Sequence, residues 1–184
     1  MGFQTDRLIV RELIEEDYDL LRELDRDPEV LRYRSRKHIT PEMTREFLDR
    51  AQRSVQEQPR LFYPYAIILR ADNSWMGQCG LTVLTPEGNE AFVWYSLLPR
   101  YWGHGYAGEA VRTLLITAVL EFKMQRIIAE CHPDNQASIH VMEKAGMQYE
   151  GFVEIPGPDG VNQPRIRYRF EAHDVFLSSH QPEP

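Results

Sequence analysis

The stretch from Glu90 to Pro133 constrains the fold more than any other. EAFVWYSLLP (90–99) is a nearly continuous apolar run of strand-forming residues, the kind buried on both faces of a sheet, and Pro99 ends it. After a glycine-containing turn, Ala107, Ala110, Val111, Leu114, Leu115, Ala118, Val119 and Phe122 fall at the i, i+3, i+4, i+7 spacing of an amphipathic helix. RIIAECHP (126–133) then reads as strand again. A strand, a helix and a strand in immediate succession imply an α/β fold.

The rest of the chain completes that layer pattern. RLIVREL (7–13) reads as a short strand. Apolar residues from Glu16 to Tyr33 keep helical spacing but break at Asp27-Pro28, which predicts two short helices, the second capped by Asp27 with Pro28 at its first position. Thr40-Pro41 repeats this start signal, and Phe47, Leu48, Ala51 and Val55 carry a helix to about Gln58. LFYPYAIILR (61–70) and GQCGLTVLT (77–85) are β-branched and aromatic, and the ADNSWMG between them predicts a hairpin. NQASIHVMEKAGM (135–147) reads as a helix ending at Gly146. QYEGFVEIPG and PRIRYRFEAH flank a PGPDGVNQP turn and predict a closing antiparallel hairpin. The order is strand, helices, three antiparallel strands, helix, strand, helix, two strands, around a mixed central sheet. No repeat or linker interrupts it, so residues 1–184 are expected to form one domain with the last ten or so residues as a tail.

Charge and composition exclude several roles. A formal net charge of −7 disfavours broad binding to a nucleic-acid backbone, which needs a cationic footprint. The same charge is compatible with a cationic substrate such as an amine, although a solvated acidic surface explains it equally well. No apolar run approaches the roughly 20 residues of a membrane span, and MGFQTDRLIVREL lacks the features of a signal peptide. Cys79 and Cys131 have no metal-ligand spacing around them and read as small buried residues, so no metal is expected. A cytoplasmic protein is the expectation.

WGHGYAG (102–108) sits between the buried strand and the longest helix. Amides at a helix start are unpaired and carry the positive end of the helix dipole. Without Cβ atoms at Gly103 and Gly105, a phosphate can come within hydrogen-bond reach of them. The stretch is either such an anion cradle or an ordinary tight turn. A P-loop is excluded because no Lys follows the glycines. Gly103, Gly105 and Gly108 formally match G-x-G-x-x-G, but the match is weak. The strand before it is the fourth in the chain and follows a meander, and no acidic residue ends a strand about 20 residues on.

RYWGHGYAGEA (100–110) resembles the acyl-CoA signature R/Q-x-x-G-x-G/A of the GNAT superfamily of N-acetyltransferases. NQASIHVMEKAGM resembles that family's N-x-x-S-x-x-x-x-x-K-x-G-F segment, with Met147 where Phe is usual. TDRLIVRELIEEDYDLL with DPEVLRY is similar to the branch that contains ribosomal-protein N-terminal acetyltransferases and many bacterial small-molecule acetyltransferases. The resemblance spans roughly residues 3–170 with all segments in order. It implies a mostly antiparallel sheet flanked by helices, with splayed fourth (90–99) and fifth (126–133) strands. It implies acetyl-CoA as co-substrate and direct attack by a primary amine, either a small molecule or a peptide or protein N-terminus. Membrane and nucleic-acid partners are not expected, and a homodimer is allowed for.

By position, the resemblance implies that main-chain groups near Leu97 and Leu98 pair with the pantetheine arm and polarise the thioester. Amides of Gly103, His104, Gly105, Tyr106 and Ala107, with Arg100 nearby, would hold the pyrophosphate. The His104 side chain could add a polar contact there, but a solvent-facing loop histidine is the plainer reading. Many members use a tyrosine of the last long helix to protonate the departing thiolate. Here that position is Met142, which cannot donate. Ser138, one turn earlier, is the available substitute, with Asn135 on the pantetheine amide or a structural water. Helix capping explains Asn135 and Ser138 as well, and both roles can hold at once. Glu130, sharing a strand face with His132, is the candidate base acting through water, with Glu90 behind it, although an exposed or salt-bridged carboxylate explains Glu130 as well. Tyr149 and Tyr168 read as packing residues. The absent tyrosine keeps open a catalytically silent CoA-binding sensor or scaffold of the same fold.

Overall fold

A computed structural model describes residues 2–34, 37–85, 87, 89–157 and 160–175. The expected tail lies almost wholly outside the described residues. Eight strands form one sheet, in the order β1-β2-β3-β4-β5-β6-β8-β7. They are β1 (Gly2–Gln4), β2 (Leu8–Glu12), β3 (Phe62–Leu69), β4 (Trp75–Val83), β5 (Glu90–Leu97), β6 (Arg126–Cys131), β7 (Gln148–Pro156) and β8 (Asn162–Glu171). Only β5 and β6 run parallel. The sheet is therefore mixed and mostly antiparallel, as expected. β1 is an addition, pairing Gly2–Gln4 with Ile9–Arg11, so the expected fourth and fifth strands are β5 and β6.

The α-helices among the described residues are α1 (Tyr18–Arg26), α2 (Pro28–Leu31), α3 (Pro41–Ser54), α4 (Tyr106–Leu120) and α5 (Gln136–Lys144). Their starts follow the sequence chemistry. Asp27 accepts from the amides of Glu29 and Val30, Thr40 from that of Met43, and Asn135 from that of Ser138. Leu21 and Leu24 of α1 and Leu48 of α3 pack with Ala66, Ile68 and Trp75 on one sheet face. Ala110, Val111, Leu114, Leu115 and Ala118 of α4 and Met142 of α5 pack with Leu8, Ile67, Leu81, Val93 and Ile127 on the other. β3 alternates between the two clusters, Ile67 in one and Ala66 and Ile68 in the other, so it is buried on both faces.

Full burial was expected of residues 90–99 too, and there the structure differs. Ala91, Val93 and Leu97 are buried while Phe92, Trp94, Tyr95 and Ser96 are only partly covered. Phe92, Tyr95 and Ser96 line an open cavity, and Tyr95 also packs on the α4 and α5 side of the core. α3 also stops at Ser54 rather than Gln58.

Candidate active site

The cavity follows from how β5 and β6 are held. They pair only at Glu90↔Arg126, Ala91↔Ile127 and Phe92↔Ile128. Beyond that, β5 stays with β4 as far as Gly77↔Leu97, while β6 stays with β8 as far as Cys131↔Ile166. Each strand follows its outer neighbour, so the two splay. The opening is a cavity of about 690 Å³, bordered by Tyr95 and Leu97, by Glu130, Cys131 and His132, by Asn135 and Ser138, and by Gly103, Gly105 and Tyr106.

Hydrogen-bond alternation decides which backbone groups face the opening. The Leu98 amide donates to Met76 O at 2.9 Å, so Leu98 and, two residues back, Ser96 turn toward β4. Tyr95 and Leu97 therefore turn their main-chain groups into the gap. Of the two residues expected to offer a backbone donor, Leu97 turns its N–H into the gap and Leu98 has its own engaged by Met76. The Leu97 carbonyl accepts from the Trp102 indole N–H at 2.8 Å, fixing the end of β5 against the glycine turn.

That turn leads into α4. Gly103 and Gly105 have φ of +79° and +78°, a left-handed conformation that costs an L-residue roughly 1–2 kcal/mol. A Cβ on Gly103 would meet nothing within 4 Å; the space above the turn is open. The amides of residues 103–108 donate to no acceptor among the described residues. Unpaired amides at the N-terminus of a long helix, with the approach left bare, fit an anion such as a pyrophosphate. The His104 side chain is exposed and does not line the cavity.

Two arginines stand beside the turn, the expected Arg100 and Arg7. Arg100 pairs with Glu23 of α1 at 2.5 Å and does not border the cavity. Its hydrogen bonds to Glu23 and Tyr101 push its pKa above the ordinary arginine value. Arg7, from the turn before β2, braces the glycine turn from outside the residues that border the cavity. It donates to His104 O at 3.0 Å, covers the Tyr106 ring at 4.7 Å, and holds Glu109 in the first turn of α4 at 2.6 Å. Thr5 also donates to Glu109. Burial would raise the Glu109 carboxyl, but the Thr5 and Arg7 hydrogen bonds outweigh it and hold it below the usual range.

Tyr95, Ser138 and Cys131 border the cavity together. The Tyr95 hydroxyl lies 2.7 Å from Ser138 Oγ and donates to Ser138 O at 3.1 Å. Burial pushes the Tyr95 phenol well above its ordinary pKa, against a smaller opposing effect of the Ser138 hydrogen bond. Burial likewise raises the Cys131 thiol, with Ser138 and Arg165 pulling it back. Asn135 spends its Oδ1 on the Ser138 amide at 3.1 Å, while its Nδ2 has no partner among the described residues. Met142 is fully buried in the core.

Glu130 borders the cavity, but its Oε1 is held by Arg167 Nε at 2.8 Å and Nη2 at 2.5 Å. His132 borders it too, its Nδ1 accepting from the Asp134 amide at 3.2 Å and its ring 5.8 Å from Tyr33. Glu90 sits at the closed end, paired with Arg126 at 3.2 Å, and does not border the cavity. Tyr168 packs as expected, with its hydroxyl on Glu143 at 3.0 Å, whereas Tyr149 is 54% exposed. Sequence reasoning missed Tyr95 and Arg7. Their partners lie 43 and 102 residues away, beyond any local pattern.

Comparison with known proteins adds an independent line. The acetyltransferase (GNAT) domain family matches residues 7–148. An uncharacterized N-acetyltransferase, p20, from Bacillus licheniformis is 31% identical over 159 residues, covering 81% of this chain and 83% of that protein. The ribosomal-protein-S5-alanine acetyltransferase from Vibrio fischeri shares the fold at a TM-score of 0.79 and 16% identity, covering 95% of this chain and 98% of that one. The spermidine N-acetyltransferase from Vibrio cholerae, solved with CoA and spermine, does so at 0.78 and 14%, covering 94% and 99%.

Proposed function

The chain belongs to the GNAT acetyltransferase family, and from that premise we propose that it moves an acetyl group from acetyl-CoA to a primary amine by direct attack on the thioester. The observation that carries this reading is the meeting of two features at one cavity. The open edge of β5 offers the Leu97 N–H, and the glycine turn offers the unpaired amides of residues 103–108. The amides of Gly103 to Ala107 hold the pyrophosphate. The edge of β5 and Asn135 Nδ2 take the pantetheine amides, and the Leu97 N–H faces the thioester oxygen, a fixed donor where negative charge develops. Ser138 donates to the departing sulfur.

The attacking amine must lose a proton. Glu130 has a second oxygen, Oε2, with no partner among the described residues, and Arg167 fixes the carboxylate through the first. Glu130 accepts the amine proton through water, a role that a pH–rate profile tests. An α-amine, with a pKa near 7.7–8.0, asks less of such a base than an alkylamine near 10.4. The neighbours named for a ribosomal-protein alanine and for spermidine represent these two acceptor classes. Both cysteines are free and buried, in keeping with action in the reducing cytoplasm.

The test is incubation with acetyl-CoA and a panel of amines, short peptides included, with release of free thiol followed. Amine-dependent thiol release is expected. The fully buried Met142, where a donor stands in other members, favours a second reading, a CoA-binding sensor. CoA binding without thiol release from any acceptor would select it.

A further inference from the structure

We infer that Tyr95 supplies, from strand β5, the phenol that helix α5 lacks, acting as the positioning residue that turns the Ser138 hydroxyl toward the departing sulfur. The inference rests on the acetyl-transfer reading of this cavity. Tyr95 and Ser138 both border the cavity, and their hydroxyl oxygens stand 2.7 Å apart. Two hydrogen arrangements satisfy this geometry. In one, Tyr95 O–H donates to Ser138 O, 3.1 Å away, and the Ser138 hydrogen points back at the phenol. In the other, Tyr95 O–H donates to Ser138 Oγ, and the Ser138 hydrogen is free for another acceptor.

A neutral cavity leaves both arrangements open. A developing thiolate beside Ser138 selects the second, because a hydrogen bond to a charged acceptor is about twice as strong as a neutral one. As the C–S bond breaks, its electron pair goes to sulfur and Ser138 O–H donates to it. Tyr95 O–H donates in turn to Ser138 Oγ, strengthening that bond. Ser138 keeps its proton and only hydrogen-bonds the sulfur: the amine's proton passes to Glu130 through water, the thiolate takes one from solvent, and the transfer ends with amide and free thiol. Tyr95 keeps its own proton throughout. Its burial makes the phenolate costly, so the phenol remains a donor at any working pH.

A double-mutant cycle on the full chain tests this with Tyr95→Phe, Ser138→Ala and the pair, reading kcat and KM for acetyl-CoA by thiol release. Tyr95→Phe keeps the ring and is expected to lower kcat about five- to tenfold, the loss of one neutral hydrogen bond, with KM within about twofold. In the Ser138→Ala background it should add less than about a twofold further loss. An unchanged kcat for Tyr95→Phe, or a double loss equal to the product of the single ones, overturns the inference while wild-type turnover leaves the acetyl-transfer reading standing. Wild-type protein that releases no thiol with any amine overturns both. Should Tyr95→Phe fail to fold, rates of wild type and Ser138→Ala in mixtures of light and heavy water decide. The curvature is expected to lessen in Ser138→Ala, which leaves the amine-to-Glu130 hydrogens in place, and equal curves overturn the pair.

Discussion

Replacing Gly103 with alanine separates the two meanings of the glycine turn. The residue sits at φ +79°, and an added Cβ would meet no protein atom within 4 Å. Folding therefore loses only the left-handed backbone preference, roughly 1–2 kcal/mol. For a domain of this size that lowers Tm by about 2–8 °C. Binding loses something different, since the new methyl stands where an anion must approach the amides. Each hydrogen bond to a charged group contributes about 1.5–3 kcal/mol, so losing one weakens CoA by about 10- to 150-fold. Gly103→Asn is the companion variant. Asparagine tolerates the left-handed region, so its Tm should stay nearer wild type while its CoA affinity falls as in the alanine variant. Thermal melting and calorimetric titration with CoA read the two quantities separately. Both variants binding CoA within twofold of wild type, with only Tm affected, would show that these glycines serve the turn alone.

Other parts of the site carry their own expectations. Arg7→Gln should weaken CoA about 3- to 10-fold in the same titration, because Arg7 holds the His104 carbonyl and Glu109 around the cradle. Glu109 has a depressed folded pKa, so its contribution is fully present above its unfolded value and is lost as pH falls through the folded one. Below about pH 4.3, the Tm of wild type should drop more steeply with acid than that of Glu109→Gln, and parallel curves would show no such linkage. Glu130→Gln should abolish the acidic limb of the pH–rate profile; a retained limb would remove Glu130 as the proton acceptor.

The elements were legible wherever local chemistry sets them. Asp27, Thr40 and Asn135 cap the helices they precede, and Gly146 closes α5 at φ +91°. α4 begins within one residue of its apolar pattern. β1 was missed because three residues that pair only with β2 carry no periodic signal. Residues 90–99 were misread for a related reason. Phe92 and Tyr95 line a cavity, and a cavity-lining aromatic looks like a core one in a sequence.

At the site, the backbone part was readable and the side-chain part less so. Glycines between a strand and a helix announce bare amides, and Ser138 and Asn135 do lie at the cavity. Arg100 and Leu98 came from the positions of the family's motif, and tertiary partners engage both here: Glu23 takes the guanidinium and Met76 the amide. Arg7 meets the glycine turn and α4, and Tyr95 meets α5, through the packing of helices on strands, a relation no local spacing encodes.

The central claim is that the splayed strands and the glycine turn form one site that binds acetyl-CoA and delivers its acetyl group to an amine. Thiol release measured with acetyl-CoA, with and without each amine of a panel that includes short peptides, tests it most directly. Release that depends on an amine, with the acetylated amine recovered in equal amount, is the predicted result. Protein that binds no CoA, or that binds it and releases no thiol with any amine, would contradict the account.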